Sequence, residues 1–381
     1  MNRIKSLDAL RGLAALSVVF AHIHGIFFSH HIFLDLTPLR IIWEGGEAVI
    51  LFFVLSGFVL SAPYCQTGNV PYGRFIGARM TRIYLPYIAS IAICLFLSLT
   101  VFDPAAASSH QFLTKRWPHP IEFDLLLSHV ALIGNFDTTS YNEVIWSLVH
   151  ELRFALIFPI FIWVMRSLSW KQCLLITAFM SLTAALANAN LDQSMGFKNS
   201  YLHSAHYLLF FMMGGLLVKN LESVGSWLLM LSSLKKKIIL ALGLFLYMYS
   251  FAISAFPRKM HWNEIAQFND LLGDWGIGIA SVIFILLAIH SERVSKFLNK
   301  KSFLFLGKVS YSLYLVHIPV LAAALYIFGN TPEIITVAIA FPFIFLTAII
   351  FYNFVELPAH KLGKRYLKPK TRLQLGAQEN T

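Results

Sequence analysis

The sequence predicts an all-α polytopic membrane protein of about ten transmembrane helices, with both termini cytoplasmic. Hydrophobic residues make up 57% of the chain and charged residues 13%, with a mean hydropathy of +0.67. The apolar residues gather into stretches of about 20, the length at which a helix crosses a bilayer core with every backbone group satisfied. The basic residues supply the orientation. With the N-terminus inside, twenty-three Lys and Arg fall on the cytoplasmic side and six outside (Arg40, Lys115, Arg116, Lys198, Arg258, Lys259), while Arg153 lies within a span. That asymmetry is the positive-inside pattern. It also accounts for the net charge of +11 without a nucleic-acid partner, and leaves some attraction to anionic membrane lipid.

In chain order the predicted spans are 8–28, 45–63, 83–102, 144–165, 171–190, 203–219, 236–256, 273–291, 308–328 and 333–356. The first has no small-residue cleavage site and is expected to remain as a helix rather than be removed. The second and sixth are short and glycine-rich, and Ser56-Gly57 suits close helix approach. One long external loop, 103–143, carries His110, Trp117, His119, Asp124, His129 and Asp137. Such a loop either covers an entrance or lies at the interface. A single transmembrane domain is expected over 1–360, followed by a basic, disordered cytoplasmic tail over 361–381. No internal repeat is visible, which counts against the common transporter architectures. Cys65, Cys94 and Cys173 have no metal-ligand spacing and read as packing residues, and no metal site is expected.

Polar residues inside apolar runs are the candidates for chemistry, because ionisable groups at membrane depth are costly and mark pathways or reaction sites by default. Arg11 and His22 are eleven residues apart, so one helical face holds both at about 16 Å separation. The structural alternative is that Arg11 snorkels to headgroups and His22 bonds a neighbouring helix. Arg79 and Arg82 project from one face before the third span, and paired guanidinium groups grip phosphate oxygens. An ordinary basic flank has the same spacing. In the fourth span, Glu151 is expected about 10 Å inward from residue 144, meeting His22 about 20 Å up from the other side. A carboxylate there would hold the tautomer of His22 and raise its basicity. Tyr314 and His317 share a face of the ninth span, where Pro319 frees a backbone carbonyl. Glu356 closes the tenth span. His24, His30, His31, His203, His206 and His261 are expected at interfaces.

Taken in order, these blocks resemble the membrane-bound acyltransferase-3 family. The resemblance rests on Leu7-Asp8-Ala-Leu-Arg11-Gly12 leading to His22, on Arg79-x-x-Arg82 and on Phe53-Val-Leu-Ser56-Gly57-Phe58. Trp146-Ser-Leu-x-x-Glu151 and Ser310-Tyr-Ser-Leu-Tyr314-x-x-His317-x-Pro319 complete it. It implies ten transmembrane helices and transfer of an acyl group, usually acetyl, from cytoplasmic acyl-CoA to hydroxyls of extracytoplasmic glycans or lipid-linked sugars at a bacterial inner membrane. Some relatives carry an appended soluble esterase-like domain, whereas this chain ends soon after the tenth predicted span. The resemblance further implies that acetyl-CoA is a donor substrate rather than a resident cofactor. Arg11, Arg79 and Arg82 would hold its phosphates, and His22, oriented by Glu151, would act as general base or transient acyl acceptor. His317 and Tyr314 would steady substrate. The alternative from another class is a secondary transporter of an anionic or sugar-like solute.

Overall fold

In the computed structural model, residues 4–27, 37–66, 71–109, 111–188, 197–250, 252, 260, 262–329 and 331–367 are described. The principal helices are α1 (Lys5–Phe27), α2 (Gly45–Gln66), α3 (Tyr72–Val101), α4 (Trp146–Leu156), α5 (Phe158–Ser167) and α6 (Trp170–Asn188). They continue with α7 (Tyr201–Lys219), α8 (Ser233–Tyr249), α9 (Asn263–His290), α10 (Lys301–Phe328), α11 (Glu333–Phe351) and α12 (Leu357–Leu367). No strand occurs among the described residues.

Eight helical stretches among the described residues are long and apolar enough to cross a membrane, and nine if the broken pair around residue 157 counts as one span. The predicted fourth span is that pair. It bends by 63° where Pro159 cannot donate to the carbonyl of Ala155. The predicted seventh span is α8, whose 17 residues fall just short of the same length, and residues 251 and 253–259 lie outside the described set. The apolar side chains left exposed on these helices, such as Phe96, Leu99, Leu175, Phe179 and Phe354, are 64–78% exposed. In water such a surface would aggregate, and in a bilayer it meets lipid. The chain is an integral membrane protein. Residues 361–367, expected in the tail, continue α12, and 368–381 lie outside the described residues.

Glycine decides how the helices cross. A methyl group on Gly12 of α1 would lie 2.3 Å from the backbone nitrogen of Gly307, and one on Gly307 would lie 2.3 Å from the carbonyl oxygen of Asp8. The backbones of α1 and α10 therefore touch, as small-residue crossings permit in membranes. The two helices run parallel, because ten residues beyond this crossing His22 again meets His317. A second contact of this kind joins α2 to α7, where methyl groups on Gly57 and Gly214 would come within 2.0 Å of the carbonyl oxygens of Phe211 and Val54. Two apolar clusters result. One is built on α2, α5, α7 and α9 around Phe53, Phe58, Phe158 and Phe211. The other is built on α1, α3, α10 and α11 around Val19, Ile83, Leu313 and Ile344. Phe52 packs against both, and the polar interior lies along that seam.

Contacts also fix which helix ends share a face. Tyr311 of α10 donates to the carbonyl of Ile83 in α3 at 2.9 Å, and Gly363 of α12 packs on Ala78 and Thr81. The starts of α1, α3 and α10 and the end of α12 thus form one basic end of the bundle.

Gly12→Ala or Gly307→Ala should destabilise the detergent-solubilised protein by about 1–3 kcal/mol through overpacking. Gly46→Ala, where nothing lies within 4 Å of the added methyl, should not. Thermal unfolding followed by size-exclusion fluorescence measures this, and equal midpoints for all three would refute the crossing.

Candidate active site

A cavity opens toward the basic end and runs inward between α1, α2, α3, α4 and α10. Arg11, Arg79, Arg82, Ser56, Glu151 and Tyr314 all line it. Two helices far apart in sequence, α1 and α3, thereby bring the three predicted arginines to one space. Arg11 donates to Asp8 Oδ1 at 3.0 Å and to Ser310 Oγ at 3.3 Å. The guanidinium of Arg79 lies 3.6 Å from Glu151 Oε2, and the hydroxyl of Ser56 donates to Glu151 Oε1 at 2.7 Å.

That pairing corrects one expectation. Glu151 does not reach His22. Counting inward from residue 144 assumed that the chain enters the bundle there. Instead Thr139–Asn142 and Glu143–Ile145 are already a short helix and a 3-10 turn, with Tyr141 and Asn142 fully buried. Glu151 is therefore carried deeper, to the level of Arg79. The carboxylate next to Asn142, which bonds Leu315 of the His317 helix, is Glu143; it binds Arg116 and accepts from Lys198 Nζ at 2.9 Å. Sequence reasoning missed Glu143, since it was placed in the external loop.

His22 and His317 meet. The His317 Nε2 to His22 Nδ1 distance is 3.3 Å and their ring centroids are 5.1 Å apart. His317 is fully buried. Its Nδ1 faces the carbonyl of Leu313 at 3.1 Å, and His22 Nδ1 faces that of Val18 at 2.9 Å. Carbonyl oxygens only accept, so both Nδ1 atoms carry hydrogen when the rings are neutral. His317 Nε2 is then a lone pair facing His22 Nδ1–H, and His22 Nε2 is left as a free base. Neither imidazole lines the cavity. They sit behind Tyr314, whose ring is 6.1 Å from that of His317 and whose hydroxyl donates to the carbonyl of Val144 at 2.8 Å and contacts Ser147 Oγ at 2.7 Å.

Pro319 frees the Leu315 carbonyl, as expected, and Asn142 takes it: the Asn142 amide donates to Leu315 O at 2.8 Å while fully buried. Leaving such a carbonyl unpaired costs about 1–3 kcal/mol. Asn142→Ala should therefore destabilise by that amount. Pro319→Ala restores a backbone N–H, so the double variant should lose at least about 1 kcal/mol less than the two singles summed. Additivity in a thermal-unfolding cycle would refute the pairing.

The segment before Asn142 roofs the imidazoles at the end opposite the basic one. Trp117 is 1% exposed, stacks on Tyr326 of α10 at 5.2 Å and donates its backbone N–H to Ser140 O at 2.7 Å. Arg116 binds Glu143 and the carbonyl of Phe112. The loop is thus packed into the bundle rather than laid on its surface. His110 lies outside the described residues. His129 is fully buried against Phe136 and Tyr141, and burial pushes its imidazole down to about 4. Between pH 6.5 and 4 the unfolded chain takes a proton that the folded one refuses. Stability should fall with decreasing pH at up to about 1.4 kcal/mol per unit and level off below 4. His129→Gln should flatten that slope in thermal midpoints measured from pH 7 to 4.5, and an unchanged slope would assign it elsewhere.

The remaining polar groups are structural. Arg153 donates to the carbonyls of Ile133, Gly134, Asn199 and Ser200 and to Ser204 Oγ at 2.7–3.2 Å, joining α4 to two loops. His150 bonds Ser204 and the carbonyl of Lys198. His206, expected at an interface, is buried between Asp274, 3.0 Å away, and Ser181, 2.8 Å away. His24 stacks on Trp43. His30, His31 and His261 lie outside the described residues.

Fold and site together define an integral membrane helical bundle with a cation-lined cavity at one end and an imidazole pair beyond it. Residues 4–353 match the family model described as an acyltransferase domain, and the chain belongs to the acyltransferase-3 family. It is 25% identical to the O-acetyltransferase OatA of Staphylococcus aureus (strain NCTC 8325 / PS 47) over 94% of this chain and 58% of that protein. It is 29% identical to the acyltransferase MdmB of Streptomyces mycarofaciens over 45% of this chain and 42% of that protein. Protein 2 in the picA locus of Rhizobium radiobacter is 29% identical over 49% of this chain and 96% of its own length. The chain thus spans a little over half the length of OatA. No solved structure matches it.

Proposed function

We propose that the protein transfers an acyl group, acetyl in the first instance, from cytoplasmic acyl-CoA to a hydroxyl of an extracytoplasmic glycan or lipid-linked sugar at a bacterial inner membrane. The observation that carries this reading is the cavity: Arg11, Arg79 and Arg82 line it from the basic end up to Tyr314, with the His22–His317 pair directly behind. An elongated donor with phosphates at one end and a thioester at the other suits that order. The basic end is the cytoplasmic one on the positive-inside pattern. Both termini then face the cytoplasm, and the acceptor approaches beneath the roof formed by Arg116 and Trp117. The names of OatA and MdmB, an O-acetyltransferase and an acyltransferase, support the reaction class.

His22 Nε2 takes the proton of the acceptor hydroxyl as its oxygen attacks the thioester carbonyl. The C–S bond breaks and the proton passes to the thiolate, giving an ester and free CoA. A two-step course through an acyl-His22 balances equally. Glu143, in place of Glu151, offsets the positive charge that His22 acquires, and Glu151 positions Arg79. His317 fixes the tautomer of His22, and Tyr314 separates donor arm from imidazole until the thioester arrives.

Membranes supplied with radiolabelled acetyl-CoA and cell-envelope glycan test the reading. Label should enter the glycan with wild type and vanish with His22→Ala. Arg79→Ala and Arg82→Ala should raise the acetyl-CoA KM at least tenfold, the worth of one charge-assisted contact, with a much smaller effect on kcat. Equal label with His22→Ala removes the base. Unchanged KM removes the phosphate role. Solute counterflow without acyl-CoA consumption would turn the reading to a transporter.

A further inference from the structure

Beyond the arginines the cavity widens into a second chamber at the basic end. The two are continuous, since Leu7, Asp8, Arg11, Val59, Arg82 and Glu356 line both. The outer chamber adds Lys308 of α10 together with Tyr352, His360 and Lys364, none of which stood out in the sequence from an ordinary basic flank. We infer that this chamber binds the 3′-phosphoadenosine end of the donor, with Lys308 and Lys364 on the 3′-phosphate, and so makes the protein selective for acyl-CoA over donors lacking that phosphate. The inference rests on the acyl-CoA reading above.

Three observations support it. The first is charge. Four cationic side chains (Arg11, Arg82, Lys308, Lys364) and two carboxylates (Asp8, Glu356) line the outer chamber. Both acids are engaged by the protein itself. Asp8 accepts from Arg11 at 3.0 Å, and Glu356 Oε2 accepts from the Ser312 hydroxyl at 2.5 Å and its backbone N–H at 3.1 Å. Lys308 and Lys364 are exposed and line the chamber, and the excess positive charge suits a dianion.

The second is the backbone. Residues Tyr352–Glu356 form a π-helical turn between α11 and α12, a device that recurs at functional sites because the extra residue rotates the helix beyond it. Here it brings Tyr352 under the Lys308 ammonium, 5.0 Å from ring centre to nitrogen, and Glu356 onto Ser312. It also turns Gly363 onto α3, where a methyl group would lie 2.6 Å from Thr81 Oγ1. His360 and Lys364, four residues apart and so on one face, line the chamber. Tyr352 offers a ring face beside a cation, a fitting neighbour for a purine.

The third is length. Ser312 and Glu356 are level with each other. Lys364 lies eight residues outward of Glu356, about 12 Å along a helix, and Tyr314 two residues inward of Ser312, about 3 Å. A ligand reaching both is extended, about 15 Å from end to end, with Lys364, Arg79 and Arg82 around its charged half, since Gly363 packs on Ala78 and Thr81, and an uncharged arm at Tyr314. A phosphorylated nucleoside joined through a diphosphate to a pantetheine arm has that order of groups. A lipid headgroup supplies phosphate without the inner arm.

Direct binding tests this without an acceptor. Full-length protein in nanodiscs of neutral phosphatidylcholine is titrated with CoA and with dephospho-CoA, which lacks only the 3′-phosphate. CoA should bind at least about tenfold more tightly. Lys308→Gln/Lys364→Gln should weaken CoA to the level of dephospho-CoA and leave the dephospho-CoA Kd within twofold, which also shows that the variant is folded. Arg79→Ala should weaken both ligands. Equal wild-type affinities, or an equal loss of both ligands in the lysine variant, would overturn the 3′-phosphate site while keeping the donor reading. A preference seen only with phosphatidylglycerol present would assign the lysines to lipid and overturn it too. Failure of both ligands to bind wild type would overturn the donor reading itself.

Discussion

The backbone contact of Gly12 with Gly307 is the constraint on which the interior depends. Only where two helices lack Cβ atoms at the crossing can their axes come this close, and the approach sets a parallel register along α1 and α10. Beside the crossing the register brings Arg11 to Ser310, and further on it brings His22 to His317. An imidazole pair at 3.3 Å cannot be held by two long flexible side chains reaching across a wide gap. Here both rings are short-tethered to their own helices through Val18 and Leu313, so helix spacing alone decides whether they touch.

The same economy governs buried charge. A lone guanidinium away from water is expensive, and each cation in the interior is matched locally. Arg79 faces Glu151, Arg11 faces Asp8 and Arg116 faces Glu143. Arg153 instead gathers backbone carbonyls from residues 133, 134, 199 and 200. The last case differs in kind. Carbonyl dipoles satisfy every donor of Arg153 and leave nothing open, which suits a staple between loops. The Arg11, Arg79 and Arg82 set instead borders open space.

Periodicity and charge asymmetry made the helices legible in the sequence, because lipid demands long apolar runs and little else. The Arg11–His22 face, the Arg79–Arg82 pair, the Tyr314–His317 face and the carbonyl released by Pro319 were legible for a related reason: each lies within one helix, where spacing fixes direction. What was hidden depends on where a chain enters the bundle. The dip of residues 139–145 below the roof shifts Glu151 by more than a turn and brings in Glu143 and Asn142, and no periodic signal marks a buried 3-10 turn. His206 was hidden likewise, since its partners Ser181 and Asp274 come from two other helices. Lys308 and Lys364 carried no signal at all, because a lysine at the basic end is expected whether or not it lines a chamber.

Helix α10 reads as a ruler along the whole path. From its N-terminal half inward, Lys308 lines the outer chamber, Ser310 meets Arg11, Ser312 holds Glu356, Tyr314 closes the inner cavity and His317 meets His22. A slip of one residue would rotate every one of these groups by about 100° and move it about 1.5 Å, so all would be lost together. Gly307 fixes the ruler at one end, since no other residue fits the crossing. The Asn142 amide on Leu315 fixes it at the other, at the one turn where Pro319 denies the helix its own hydrogen bond. The proline that weakens α10 thus creates the acceptor by which the roof segment grips it, and His317 lies in that same turn, between the gripped carbonyl and the proline.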